Sequence, residues 1–314
     1  MGFSPENWNV DLTKHRKKFF LGSIVAVLLG ILCLFTLGLN LGVDFESGSN
    51  VEVQVNTSLT EEALREDFKQ MALAHEPRNM TIGGDQNQVA NVRFIEPLSK
   101  EDISKVQSYM KEKYGEVPNI STVSPLVGKE LARNALISVL IASVAIVLYV
   151  AVRFQFLYGI AAIVGLLHDA FFVIVLFSLF QVEVNVPFIA AILTVVGYSI
   201  NDTIVTFDRI RENVKREKKE KPIEDFNHLA RIVNKSLLQV ITRSINTMLT
   251  VLFAALALFI FGSEAIRSFS LALVIGLIVG TYSSMFLCAQ MWLVWEWRRL
   301  KRLKEKPPQE EEMI

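Results

Sequence analysis

The chain has 314 residues, of which 51% are hydrophobic and 21 are phenylalanine, a composition more apolar than that of most soluble proteins of this size. Its formal net charge of +0 argues against a nucleic-acid binder. Cys33 and Cys288 each lie inside an apolar run, which argues against a disulfide framework and for small buried thiols. What remains is a polytopic α-helical membrane protein.

Residues 1–18 form a basic N-terminal segment, with Lys14, Arg16, Lys17 and Lys18 directly before a first predicted span at 19–39. This run is too long for a secretory signal and lacks a small-residue cleavage site, so it reads as a retained anchor. Residues 40–134 are long enough to fold by themselves. Their pattern predicts strands at 51–55, 80–82, 89–95 and 120–123, with helices at 61–73 and 100–114. Thr60 and Ser99 stand as N-caps just before acidic residues. The order βαββαβ is that of a ferredoxin-like α+β domain. This stretch has no cysteine, its one histidine is His75, and Gly83-Gly84-Asp85 reads as a hairpin turn rather than a phosphate loop. No enzymatic activity is expected of it, and a docking or binding module is.

A bilayer core of roughly 30 Å needs about 20 apolar residues per helix. Beyond 19–39, five further stretches meet this length: 135–152, 157–180, 186–207, 245–262 and 269–294. Lysine and arginine collect before span one, after span four in a predicted basic loop at 208–240, and after span six in a tail at 298–314. The positive-inside rule therefore places both termini in the cytoplasm and 40–134 on the outer side. The basic run of that loop reads as lying against anionic lipid headgroups rather than on nucleic acid, with Asp208, Arg209, Arg211 and Glu212 starting an interfacial helix. Trp292, Trp295 and Trp297 read as an interfacial anchor, Gly276 and Gly280 as a close-packing pair, and the tail from Lys304 as disordered.

Each ionisable side chain at mid-bilayer carries an insertion penalty of about 2.5–3.5 kcal/mol, so each is a functional hypothesis. Asp169, beside His168, lies well inside span three, Asp202 inside span four, and Arg243 at the entry of span five. Tyr198, Asn201, Asp202 and Val205 share one helical sector. Arg243, Asn246, Thr247 and Thr250 follow i, i+3, i+4, i+7 spacing on another. A polar seam between spans four and five follows. It is open whether the seam is a static ion pair that orders packing or a pair whose contact is coupled to proton arrival.

The stretch VGYSINDTIVTFDRIREN, residues 196–213, closely resembles the signature of the smaller subunit of the SecD/SecF family of protein-export membrane proteins. Leu167-His168-Asp169 and Leu126-Val127-Gly128 resemble that family as well. The resemblance implies an RND-like half of six spans that uses the proton gradient, with no other cofactor, to assist late-stage export of polypeptides across the cytoplasmic membrane. It also implies a SecD-type partner subunit, the Sec translocon channel and unfolded secretory polypeptides as associates. It assigns proton conduction to Asp202 and Arg243, with Arg231 the other nearby arginine. Two further readings stay open, half of an RND-like small-molecule exporter and a purely structural membrane subunit. An intramembrane aspartyl protease is disfavoured because its YD and GxGD motifs are absent where His168-Asp169 and Asn201-Asp202 stand.

Overall fold

The computed structural model describes residues 10–83 and 88–305. The expected turn at Gly84-Asp85 and the expected tail beyond 305 lie outside the described residues. The chain divides into two units, one comprising residues up to 39, 139–182 and from 187 onward, the other residues 40–138 and 183–186.

The second unit carries the sheet. After a short helix α2 (Val43–Glu46), strands β1 (Gly48–Gln54), β2 (Asn79–Gly83), β3 (Val89–Phe94) and β4 (Asn119–Val123) alternate with helices α3 (Glu61–Gln70) and α4 (Lys100–Tyr114) in the order βαββαβ. The sheet runs β2-β3-β1-β4, antiparallel throughout. Val51 pairs with both Val92 and Ile120, fixing the register around the central strand. Period-two alternation sends Val51, Val53, Ala90, Val92 and Phe94 to the face that packs Leu64, Phe68, Val106 and Met110 of the two helices. Thr60 Oγ1 accepts from Ala63 N at 3.3 Å and Ser99 Oγ from Asp102 N at 3.1 Å, so both N-caps form. Helix α3 ends at Gln70 rather than 73, because Ala72 takes a left-handed φ of 46° that no helix can continue through. Gly48, with φ 129°, is required at the start of β1, since a Cβ there would sit 2.1 Å from the Phe94 carbonyl oxygen. The stretch 183–186 belongs to this unit through a parallel bridge between Leu41 and Val184 and the Val186 N–H donated to Asp44 at 2.9 Å.

The other unit is helical. Helices α1 (Arg16–Leu37), α5 (Pro125–Arg153), α6 (Phe156–Leu179), α7 (Val186–Glu220) and α8 (Phe226–Phe261) are followed by α9 (Glu264–Tyr282), a π-helical segment (Ser283–Cys288) and α10 (Ala289–Glu305). Helix α5 belongs to this unit from residue 139 onward. Among the described residues, six helical runs are long and apolar enough to cross a membrane, the last combining α9, the π segment and α10. Leu21, Leu28 and Phe35 of α1 and Leu140, Ile141 and Val152 of α5 are exposed, as suits helices that meet hydrocarbon. Gly276 lets α9 approach α7, where a Cβ would fall 2.2 Å from Val195 Cγ2, and Gly280 repeats the approach one turn on against Ser199.

Three expectations change. The segment 208–240 is not an open loop: α7 runs on to Glu220 and α8 begins at Phe226. Ion pairs along one helix face, Arg211 to Asp208 and Arg209 and Arg216 to Glu212, support the extension, so these residues continue α7 rather than starting an interfacial helix. Asn213 then donates to Ser236 Oγ and Gln239 Oε1, both at 2.8 Å, tying the two extensions together. Span two starts earlier, at Pro125, whose missing N–H suits a first helical position. Trp292 is not an interfacial anchor but a core residue, 1% exposed and stacked on Tyr158 with ring centroids 4.6 Å apart.

Candidate functional site

Asp169 lies on the buried face of α6 and is fully buried. Its Oδ2 accepts from Ser199 Oγ of α7 at 2.5 Å and from Ser283 Oγ of the π segment at 2.8 Å. His168 Nδ1 stands 3.1 Å from Oδ1. Three elements thus converge on one carboxyl group. Gly280 packs beside it, where a Cβ would stand 3.2 Å from Ser199 Cβ and in ordinary contact with Asp169 Oδ2.

Asp202 is on α7, close to one turn beyond Ser199, and is half-buried. Ser244 of α8 donates to its Oδ1. Its Oδ2 is buried without a hydrogen-bond partner. The next residue, Thr203, shares a hydrogen bond of 2.8 Å with Ser284, which also donates to the Gly280 carbonyl at 2.9 Å. Ser283 and Ser284 are neighbours in the π segment, so hydroxyl groups lie between the two carboxyl groups: Ser283 on Asp169, Ser284 on the residue following Asp202. The π turn explains why two consecutive serines can both serve, because more residues per turn means a smaller angle between neighbours, so Ser283 and Ser284 face closer directions than in an α-helix.

The predicted seam is only partly assembled within this chain. Asp202 meets α8 through Ser244, and no ion pair joins it to Arg243 among the described residues. Arg243, Asn246, Thr247 and Thr250 are exposed, and the two threonines return their hydroxyls to α8 itself, Thr247 to Arg243 O at 2.8 Å and Thr250 to Thr247 O at 2.7 Å. On α7, Asn201 is exposed and Tyr198 half-buried. The difference is a single residue step: Ser244, about 100° around the helix from Arg243, is the residue buried on Asp202. The sequence reading missed Ser199, Thr203, Ser244, Ser283 and Ser284. The available signal was hydroxyl residues set inside apolar runs, with Ser199 and Thr203 one turn apart around Asp202.

Residues 103–298 match the family model described as protein export membrane protein SecD/SecF, C-terminal, and residues 34–58 match the SecD/SecF GG motif. The chain belongs to the SecD/SecF family. It is 50% identical over 292 residues to the protein translocase subunit SecDF of Bacillus subtilis, covering 93% of this chain and 39% of that relative. It is 42% identical over 295 residues to the protein translocase subunit SecF of Alicyclobacillus acidocaldarius, covering 93% of this chain and 94% of the relative. Among solved structures, the crystal structure of SecDF from Thermus thermophilus, a translocon-associated membrane protein, superposes with a TM-score of 0.81 at 31% identity, over 94% of this chain and 40% of that one. The SecD/SecF C-terminal match contains Asp169, Asp202, Ser244, Arg243 and the π segment, and the GG-motif match contains Gly48 and the start of β1.

Proposed function

We propose that this chain is an accessory subunit of Sec protein export that couples the proton motive force to late-stage translocation of polypeptides, without a catalytic centre or cofactor of its own. It resides in the cytoplasmic membrane with both termini inside and the α+β unit outside, and it works beside a SecD-type subunit and the Sec channel on unfolded secretory polypeptides. Membership of the SecD/SecF family and the close likeness to SecF and SecDF translocase subunits support the export role. The distribution of lysine and arginine supports the orientation.

The observation that carries the coupling is the half-satisfied carboxyl group of Asp202. One oxygen takes the Ser244 hydroxyl, and the other is buried with no donor. A proton can bind that second oxygen without displacing any hydrogen bond, and binding it removes a charge from an apolar setting. Asp169, held by Ser283 next to the Ser284 that bonds Thr203 beside Asp202, is the second carrier. Moving one charge through the membrane potential yields about 2.3 kcal/mol per 100 mV, enough to bias a conformational equilibrium about fiftyfold. Arg243 serves as the counter-charge that Asp202 meets when it is ionised, and Arg243, Asn246, Thr247 and Asn201 form the exposed polar face that a SecD-type helix covers in the bilayer. Either side of that face is costly in lipid alone.

The test replaces Asp202 with Asn and Arg243 with Leu, separately, and follows export of a secreted protein in cells lacking the native subunit. Each variant is expected to reduce export to the level of the empty strain. Wild-type export rates in both would overturn the coupling reading.

A further inference from the structure

Where the apolar parts of α6 and α7 and the start of α10 give way to charged chain, a cavity of about 790 Å³ opens between them. The stacked pair Tyr158 and Trp292 lines it on the aromatic side. The charged lining is unequal. Arg211, Lys215, Lys218, Lys219 and Arg299 stand against Asp208, Glu212 and Glu296. The carboxylates are all engaged: Asp208 with Arg153 at 2.5 Å and Arg211 at 3.1 Å, Glu212 with Arg209 at 2.8 Å and Arg216 at 3.0 Å, Glu296 with Arg299 at 2.8 Å. Lys215, Lys218 and Lys219 form no ion pair among the described residues. Their i, i+3, i+4 spacing keeps them on one face of α7. Trp292, 1% exposed, holds its indole N–H buried without an acceptor. The cavity therefore presents cationic groups in excess.

A second cavity of about 670 Å³ shares Arg299 with the first and is lined by Leu157, Ile160, Trp295 and Leu303 together with Arg298 and Arg302. Its lining combines apolar side chains with three arginines. A soluble phosphate would fit the first cavity and leave the second without purpose, whereas a molecule with an anionic head and a hydrocarbon chain fits both. Basic pockets between spanning helices at the membrane surface take anionic headgroups by this chemistry.

We propose that the two cavities form one binding site for an anionic phospholipid, with its phosphodiester among Lys215, Lys218 and Lys219 and an acyl chain along Leu157, Ile160 and Trp295. The site is separate from the Asp169 and Asp202 cluster, and its test does not depend on export. A bare solvated lysine face would favour anionic lipid too, but it would give quenching that follows bulk surface charge instead of saturating at a site.

The full chain in neutral detergent is titrated with phosphatidylglycerol carrying brominated acyl chains, and tryptophan emission is followed, since Trp292 and Trp295 line the cavities. Saturable quenching is expected at a lipid fraction about tenfold below that needed with brominated phosphatidylcholine. Changing Lys215, Lys218 and Lys219 together to Gln is expected to raise the phosphatidylglycerol requirement about tenfold. Changing Lys14, Arg231 and Lys235, which line another basic cavity of about 710 Å³, to Gln is expected to leave it unchanged. Inorganic phosphate is expected not to relieve the quenching. Equal quenching by the two lipids, equal loss in both triple variants, or displacement by inorganic phosphate would each overturn the proposal. Should the Lys215, Lys218 and Lys219 variant fail to fold, the comparison of the two lipids and of phosphate on the unaltered chain still decides.

Discussion

Asp169 and Asp202 announce themselves in the sequence because a carboxylate inside an apolar run has an insertion penalty, and a penalty retained implies a use. Their hydroxyl partners carry no such mark. A serine in an apolar helix is nearly neutral to insertion and often returns its hydroxyl to its own backbone, as Thr247 does here, so nothing in the sequence separates Ser244 from it. The choice is made by rotation: one residue step turned the expected partner of Asp202 from Arg243 to Ser244. Ser244 is 2% exposed and supplies the hydrogen bond to Asp202, so Ser244→Ala leaves that carboxyl group with no donor. Hydrogen bonds between spanning helices are worth about 0.6–1.7 kcal/mol, and a loss of that size in unfolding free energy is expected for Ser244→Ala in detergent. Ser244→Thr retains the hydroxyl and is expected to recover most of it. If Ala and Thr behave alike, the hydroxyl contributes nothing and the site is organised some other way.

At the level of elements, apolar run length located the six candidate spanning helices among the described residues, while the start of α5, the end of α7 and the start of α8 escaped. Periodicity of apolar residues stops where the bilayer stops, but helical hydrogen bonding does not: α7 and α8 run on because ion pairs and the Asn213, Ser236 and Gln239 cluster replace lipid as what stabilises them. The π segment was invisible for another reason, since a one-residue insertion in helical phase leaves an apolar composition unchanged. Helix approach, by contrast, was legible in Gly276 and Gly280. A Cβ at Gly276 would overlap Val195, with the nearest atom 2.2 Å away, while one at Gly197 would meet nothing within 4 Å. Gly276→Ala is therefore expected to destabilise by about 1–3 kcal/mol through overpacking between α7 and α9. Gly197→Ala is expected to be neutral or stabilising by up to about 1 kcal/mol, because alanine is the better helix former. Thermal melts of the two variants in the same detergent separate these outcomes, and equal melting temperatures would contradict the packing of α7 on α9.

For the molecule as a whole, the α+β unit draws its core, among the described residues, from Val51 to Ile120, so residues 40–134 are expected to fold alone. Its least ordinary feature is Asp67, 1% exposed on α3, which accepts from Tyr114 Oη at 2.6 Å and Tyr109 Oη at 3.1 Å and pairs with Lys113. Burial and the hydrogen bond to Asp67 push the Tyr114 hydroxyl up to about 12, and the same causes raise Tyr109. The hydrogen bond to Asp67 likewise raises Lys113. All three shifts favour the protonated form in the folded state. The stability they supply is complete below the unfolded tyrosine value of about 10 and is lost as pH rises from there toward about 12. Urea unfolding of the isolated unit, followed by circular dichroism, is expected to give a lower midpoint at about pH 11 than at about pH 8. Asp67→Asn removes the charge that all three groups share. It is expected to lower the midpoint at the milder pH but to shrink the further drop on alkalinisation. An Asp67→Asn unit that loses as much between the two pH values as the unaltered one would show that the three groups titrate independently of Asp67, and a unit without cooperative unfolding at either pH would show that its core needs the membrane helices after all.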